Sequence, residues 1–245
     1  MALNLLDITT NNNDLTNVNT VAEVTTALPF AQSTIAADFE AGSSQYLYAA
    51  DSASLSMTGA FTIECWVKPE SLPANGTFMA LVTKWRDGGA NQSSYYFGVY
   101  NNAGTYRLVL YTSSDGAAAD GIFQDWTVSV GTWYHVTTTH AADGTVQFFV
   151  DGSQIGVDQA GTGAVFDGNA AVAIAAARHD IAANEFFDGV MDDVRVWNDV
   201  RTSVELSGNY NIELAGTESN LVAYWPFETE LGQSSGFMDL TSKSW

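Results

Sequence analysis

The chain is short of cysteine, of basic side chains, of histidine and of long apolar runs, and each shortage removes a class of explanation. One cysteine in 245 residues, Cys65, leaves no internal disulfide to hold the fold. It sits between Glu64 and Trp66 in a strand-like stretch and reads as a small buried hydrophobe, not a nucleophile. Eight Lys and Arg face 28 Asp and Glu, a formal net charge of -20. Phosphate backbones and anionic lipid would be repelled, so neither nucleic acid nor a membrane is an expected partner. Charged residues total only 15% of the chain, which describes an acidic, Lys-poor surface suited to a salty or extracellular setting, with cation binding as the lesser alternative. No window approaches 18 apolar residues, and the first seven residues lack a basic start and a long apolar run. Neither a membrane span nor a signal peptide is therefore expected; an extracellular or virion-surface location is, with export by another route, membership of something larger, or exit as part of a particle as the ways to reach it. The histidines at 135, 140 and 179 have no metal-binding spacing, and no G-x-S-x-G or D-x-D-x-D-G string occurs.

What the chain does hold is strands. Apolar residues recur at 61, 63, 65 and 67, and further strand patterns fall at 35–39, 45–49, 78–85, 95–100, 106–111, 121–128, 134–140, 146–150, 153–157, 172–177, 186–197 and 221–227. Gly, Asn and Asp turns separate them, and Ala142-Asp143-Gly144 is a tight hairpin signal. One short helix is predicted over 199–206, capped by Thr202 or Ser203 and stopped by Gly208. This pattern means an all-β chain of two packed antiparallel sheets, and its length suits one domain.

One stretch organises the rest, Phe186-Phe187-Asp188-Gly189-Val190-Met191-Asp192-Asp193-Val194-Arg195-Val196-Trp197-Asn198. Strict alternation from Val190 sets Val190, Asp192, Val194 and Val196 on one face, and Met191, Asp193, Arg195 and Trp197 on the other. Asp192 would then stand among three valines, where an unpaired charge costs several kcal/mol. Two readings stay open: a solvated carboxylate where the strand enters the sheet, or a ligand to a structural calcium.

The same stretch, F-D-G-x-M-D-D-V-R-V-W-N, resembles the closing signature of laminin-G-like modules of the concanavalin A-like lectin/glucanase superfamily. Residues 61–69, 131–136, 146–152 and 221–227 fit that family in order and spacing, over roughly 30–230. The resemblance implies a two-sheet jelly-roll sandwich, taken here as a single domain over 1–245. It also implies a buried calcium between the strand of Asp192 and an early strand, with Asp38 at the matching position and Gly42 offering a carbonyl. Modules of this kind often open on W-x-F…G…D-x-[ST]. Here Trp225, Phe227, Gly232 and Asp239 put that stretch at the end, and 237–241 echoes 5–9, so the termini are expected side by side; a truncated second module is the alternative. The family does not name a function, because it holds lectins, hydrolases, adhesion modules and virion parts. Its hydrolases carry E-x-D-x-x-E, which this chain lacks, so no enzyme is expected.

Sugar sites place aromatic rings against the apolar face of a pyranose, with Asp, Asn and Arg on its hydroxyls. Trp85, Arg86, Asp87, Tyr95, Tyr96, Asn101 and Asn102 are the candidate ligand-binding residues, with Tyr100 and Tyr106 on the same edge. The competing reading sends Trp85 and Tyr96 into the sandwich core. The expected function is a non-catalytic binding or adhesion module for a glycan or a surface protein, with a structural calcium. The alternative is a decoration or fibre protein of a phage particle, with oligomer or virion assembly as its partner relation.

Overall fold

The computed structural model describes residues 3–86, 91–177 and 183–228. The strands in chain order are β1 (Thr16–Val18), β2 (Ala22–Val24), β3 (Ala36–Phe39), β4 (Tyr46–Ala49), β5 (Phe61–Pro69), β6 (Phe78–Lys84), β7 (Tyr95–Asn102) and β8 (Thr105–Thr112). They continue as β9 (Asp120–Asp125), β10 (Tyr134–His140), β11 (Thr145–Val150), β12 (Ser153–Ala160), β13 (Val172–Ile174) and β14 (Gly189–Trp197). Helix α1 (Ser203–Asn209) and β15 (Leu221–Trp225) follow. One sheet runs β1-β4-β13-β6-β7-β8-β9, and the other β12-β11-β10-β5-β14-β3-β2 with β15 beside β14. The strand pairs are antiparallel. This is the two-sheet jelly roll that the alternation and turns predict.

Alternation decides what lies between the sheets. Phe61, Ile63, Cys65 and Val67 of β5 meet Leu81, Phe97, Leu110, Phe148, Met191 and Trp225 in one continuous core. Cys65 is fully buried, and burial holds its thiol well above the usual range, as a small hydrophobe should be. Strands β1 and β2 were not foreseen, because Thr16-Asn17-Val18 and Ala22-Glu23-Val24 carry no amphipathic pattern; they join sheet edges through backbone pairing.

Two expectations need correction. Strict alternation does not run through β14. Opposite β5, Asp192 pairs Trp66 and Arg195 pairs Glu64, so three residues of one strand span two of the other. Asp193 takes up the extra residue with φ 55, a left-handed conformation that Asp tolerates better than most side chains. The bulge sends Met191, Val194 and Val196 into the core and leaves Asp193 and Arg195 together on the outer face. The helix also runs later than predicted: Thr202 forms a capping box with Glu205, but Gly208 lies inside the helix, which ends at Tyr210.

The N-terminal segment lies along β15. Asn4 and Ile8 N–H groups donate to the carbonyls of Phe227 and Tyr224 at 3.1 Å each. The Asp7 carboxylate accepts from Tyr224, Thr9 and Asn13 backbone N–H groups. Gly232, Asp239 and the echo at 237–241 lie outside the described residues, as does His179.

Candidate functional site

Period-two alternation gives the seven-stranded sheet an outer face as aromatic as its inner one. Phe78 and Ala80 of β6, Tyr96, Gly98 and Tyr100 of β7, Val109 and Tyr111 of β8, and Gly121 and Phe123 of β9 share it. The rings pack edge to face. Trp85 meets Tyr96 at 6.4 Å and 83°, and Tyr96 meets Tyr111 at 6.1 Å and 81°, contacts worth about 0.5–1.5 kcal/mol each.

A break in β6 adds a wall. Its register with β7 shifts between Ala80 and Val82, and the Ala80 N–H donates instead to the carbonyl of Glu185 at 2.8 Å. Glu185 sits at φ 53, and Asn184 bridges to Ala177, so residues 184–185 are held across the sheet's outer face. Phe78, Trp85, Tyr96, Tyr111, Ala119, Asn184 and Glu185 together enclose a cavity of about 270 Å³. Burial and the Glu185 carboxylate push the Tyr96 hydroxyl well above its usual range. Tyr111 is raised by burial, then by Tyr100 and Glu185. Both phenols stay neutral at physiological pH and keep their O–H donors.

The predicted ligand residues do not form one patch. Trp85 and Tyr96 are walls of the cavity, outside the inter-sheet core. Tyr95 points the opposite way: it is fully buried between the sheets and its hydroxyl donates to the Leu55 carbonyl at 3.2 Å. Neighbouring residues of one strand face opposite sides, so Tyr95 and Tyr96 cannot serve the same site. Arg86 donates to Asn169 at 3.2 Å, away from the cavity lining. Buried Asn101 braces a turn, donating to Pro73 O and accepting from the Gly104 N–H, both at 2.8 Å. Asn102 is exposed at the β7–β8 turn, and Asp87 lies outside the described residues. Phe78, Tyr111, Asn184 and Glu185 were not foreseen. The alternation of Tyr106, Leu108 and Leu110 was visible, but the register that sets Tyr111 beside Tyr96 was not.

The residues expected to hold a cation also separate. Asp192 is buried and its oxygens are occupied by the Ser33 hydroxyl at 2.6 Å and the Asp193 N–H at 2.8 Å. Burial first, then Asp193 and Glu228, push its carboxyl well above the usual range. Asp38 instead groups with Glu40 and Glu70, their oxygens within 4.8 Å of one another, and Asp192 is not in that group. Asp38 Oδ1 is buried without a hydrogen bond. Burial, then the charge of Asp188, raises the Asp38 carboxyl, and Glu70 is raised by burial and by Asp38, Glu40 and Asp188. Gly42 follows in the one-turn helix Ala41–Ser43, whose first N–H donates to Asp188. An all-oxygen set that repels itself and leaves an acceptor unused fits a hard cation such as calcium.

Residues 41–207 match the family model described as the concanavalin A-like lectin/glucanases superfamily, of the laminin-G type. The chain belongs to this superfamily. Among curated proteins none matches the module. Solved structures of the same fold include the binding domain of botulinum neurotoxin serotype G, with TM-score 0.62 and 11% identity over 84% of this chain and 47% of that one. Domain 4 of AbnA, an extracellular arabinanase of Geobacillus stearothermophilus solved with arabinotriose, gives TM-score 0.57 and 16% identity over 86% of this chain and 98% of that one. A heptameric pentraxin of Limulus polyphemus gives 0.51 and 20% over 70% and 79%. At these identities the likeness establishes the shared fold. The module spans about half the length of the neurotoxin domain.

Proposed function

We propose that this module is a non-catalytic glycan-binding domain whose site is the aromatic cavity on the outer face of the seven-stranded sheet. The observation that carries the reading is the cavity's two-sided chemistry. Phe78 and Trp85 offer apolar surface to the C–H face of a sugar ring, and Asn184, Glu185 and the neutral phenols of Tyr96 and Tyr111 offer hydrogen bonds to hydroxyls. Glu185 is a single carboxylate among the described lining residues, whereas glycoside hydrolysis uses two, about 5–10 Å apart. Domain 4 of the arabinanase, a relative by fold, was solved with a bound sugar, which supports the same class of ligand.

A calcium ion belongs to the proposal as a structural element. Asp38, Glu40 and Glu70 would hold it, with Asp188 adjoining. Its chemistry would be charge neutralisation between the end of β3 and the end of β5, where four carboxylates converge on one Lys68. Asp192 stands outside this group, and each of its oxygens accepts a hydrogen bond, from Ser33 and from the Asp193 N–H.

A glycan array in millimolar calcium, followed by calorimetric titration of the best hit, tests the reading. Trp85→Ala, which removes apolar contact, and Tyr111→Ala, which removes a wall and a hydroxyl, should each weaken binding by about tenfold, equivalent to about 1.4 kcal/mol. Silence across the array, joined to co-purification with phage particles, would replace it with the structural surface role.

A further inference from the structure

We infer that the cavity accepts one terminal sugar ring end-on, not a run of residues along a chain, and that Gly98 and Gly121 set its depth. This deepens the glycan-binding reading and rests on it. The size argument comes first. At about 270 Å³ the cavity falls below the roughly 300–1,000 Å³ that drug-sized ligands fill. Its lining closes on several sides: Phe78 and Tyr111 rings lie 5.9 Å apart at 61°, Trp85 and Tyr111 6.1 Å apart at 50°, and Asn184 and Glu185 cross above the strands. One ring enters, and the next residue of a glycan is left in solvent.

The two glycines explain why a cavity exists on a sheet face so rich in aromatic residues. Gly121 stands directly opposite Tyr111 in the β8–β9 ladder. A Cβ there would come 2.3 Å from Tyr111 Cε1, with Cδ1 and Cζ at 2.9 Å. The ring therefore lies flat over the glycine. Gly98 is two residues from Tyr96 on the same face, and a Cβ there would come 2.7 Å from Tyr96 Cε1. Both phenol rings lie down because the neighbouring position has no side chain, and the cavity is the height they leave free. The two glycines differ in what surrounds them. At Gly98 the added atom would also come 2.5 Å from the Met79 carbonyl oxygen, which is backbone and cannot give. At Gly121 the atoms met are all in the half-buried Tyr111 ring, which can lift toward the cavity.

The discriminating experiment titrates the full chain with methyl glycosides of arabinose, galactose, glucose and N-acetylglucosamine and with the matching trisaccharides. For the sugar that binds, monosaccharide and trisaccharide should have the same Kd within about threefold. Gly121→Ala should weaken both by about tenfold or more, equivalent to 1.4 kcal/mol, with an unchanged far-UV spectrum. Ala119→Trp, at an exposed rim position, should do the same by filling the cavity, and it serves if Gly121→Ala does not fold. A trisaccharide bound more than about thirtyfold tighter than its monosaccharide overturns the end-on inference and leaves glycan binding standing. Unchanged affinity in Gly121→Ala and in Ala119→Trp, with Trp85→Ala still defective, overturns the depth argument. Binding indifferent to Trp85→Ala, or no binding by any of these sugars, overturns both the inference and the reading beneath it.

Discussion

The two sheets turn different chemistry outward. On the eight-stranded sheet, Glu64, His135, Asp193, Arg195, Trp197 and Tyr224 are buried although they point away from the core. Residues 199–214 cover them. Arg195 donates to the carbonyls of Asn209 and Ile212 and to Asp193, which also accepts from the Tyr224 hydroxyl. Trp66 donates to Tyr210 O at 2.7 Å, and Trp197 to Glu64 at 2.8 Å. Glu64 and Asp193 are met by Arg195, Trp197 and Tyr224 of the sheet itself, and the covering chain adds two carbonyls to Arg195. On the seven-stranded sheet the outer face holds mainly rings, with the exposed Arg107–Asp125 pair beside them, and a cavity opens among the rings. Ions taken out of water demand partners, and here the crossing segment supplies those that the sheet does not. Rings make no such demand, so that face can stay open to a ligand.

The sharpest way to break this contrast is to remove one ion from the covered face. Arg195→Ala leaves Asp193 and Glu64 buried without their cation and frees two backbone carbonyls of the covering segment. The expected loss is about 3–5 kcal/mol, read by urea unfolding, against at most about 1 kcal/mol for Arg107→Ala, which breaks the exposed pair with Asp125 on the open sheet. Equal losses would show that the network is not what holds residues 209–212 down.

The acidic cluster comes next. Calcium at a hundred times its dissociation constant should stabilise the fold by about 2.7 kcal/mol. Chelation should lower the Tm, and Glu70→Gln should remove most of that response. A Tm that is the same in excess chelator and in millimolar calcium would end the calcium proposal.

A smaller effect separates the faces by pH. Burial, then Arg195, holds His135 well below its usual pKa, so the folded protein refuses a proton that the unfolded chain accepts near pH 6.5. A depressed histidine contributes stability above the unfolded pKa that is lost as the pH falls below it, by up to about 1.4 kcal/mol per pH unit. His135→Asn should therefore gain on the parent between pH 7.5 and 5.5. Asp193, raised to about 6 by burial, titrates in both proteins and cancels in the difference. A difference that does not change with pH would place the protonation elsewhere.

How much of this was readable beforehand follows from which interactions are local. Alternation and turn residues are local, so the strands from β3 onward, the hairpin at Asp143-Gly144, the buried Cys65 and the two-sheet class could all be read. The Thr202–Glu205 cap could be partly read for the same reason. Register is not local. Nothing in Asp192-Asp193-Val194 announces that Asp193 will take a left-handed conformation, and that one residue puts Met191, in place of Val190 and Asp192, on the core face with Val194 and Val196. The cavity was half visible for a like reason: Trp85 and Tyr96 stood out as a patch, while Tyr111, Asn184 and Glu185 arrive from other strands and loops. Of the cation residues, Asp38 was recognised and Glu40 stands two residues along the same chain, but Glu70 comes from the end of β5, on the far side of β14, and only the sheet order brings it there.

The smallest expected effect lies at the residue that stood out most. Strict alternation made Asp192 a charge among valines; the bulge gives it a different setting, against Ser33 and beside Glu228. Burial first, then the charge of Asp193, holds its carboxyl well above the usual range and so favours the protonated form. Asp192→Asn mimics that protonated form: the amide oxygen can accept from the Asp193 N–H, and the amide nitrogen can donate to Ser33 once that hydroxyl turns. The cost should stay within about 1 kcal/mol, and the calcium response should be untouched. Asp192→Leu, of similar size, leaves the Asp193 N–H and the Ser33 hydroxyl without their acceptor and should cost about 1–3 kcal/mol. The pair therefore separates a hydrogen-bond acceptor from a buried anion. An Asp192→Asn protein that loses as much stability as Asp192→Leu, or that no longer responds to calcium, would show that Asp192 is ionised and that the cation sits on β14, not at Asp38, Glu40 and Glu70.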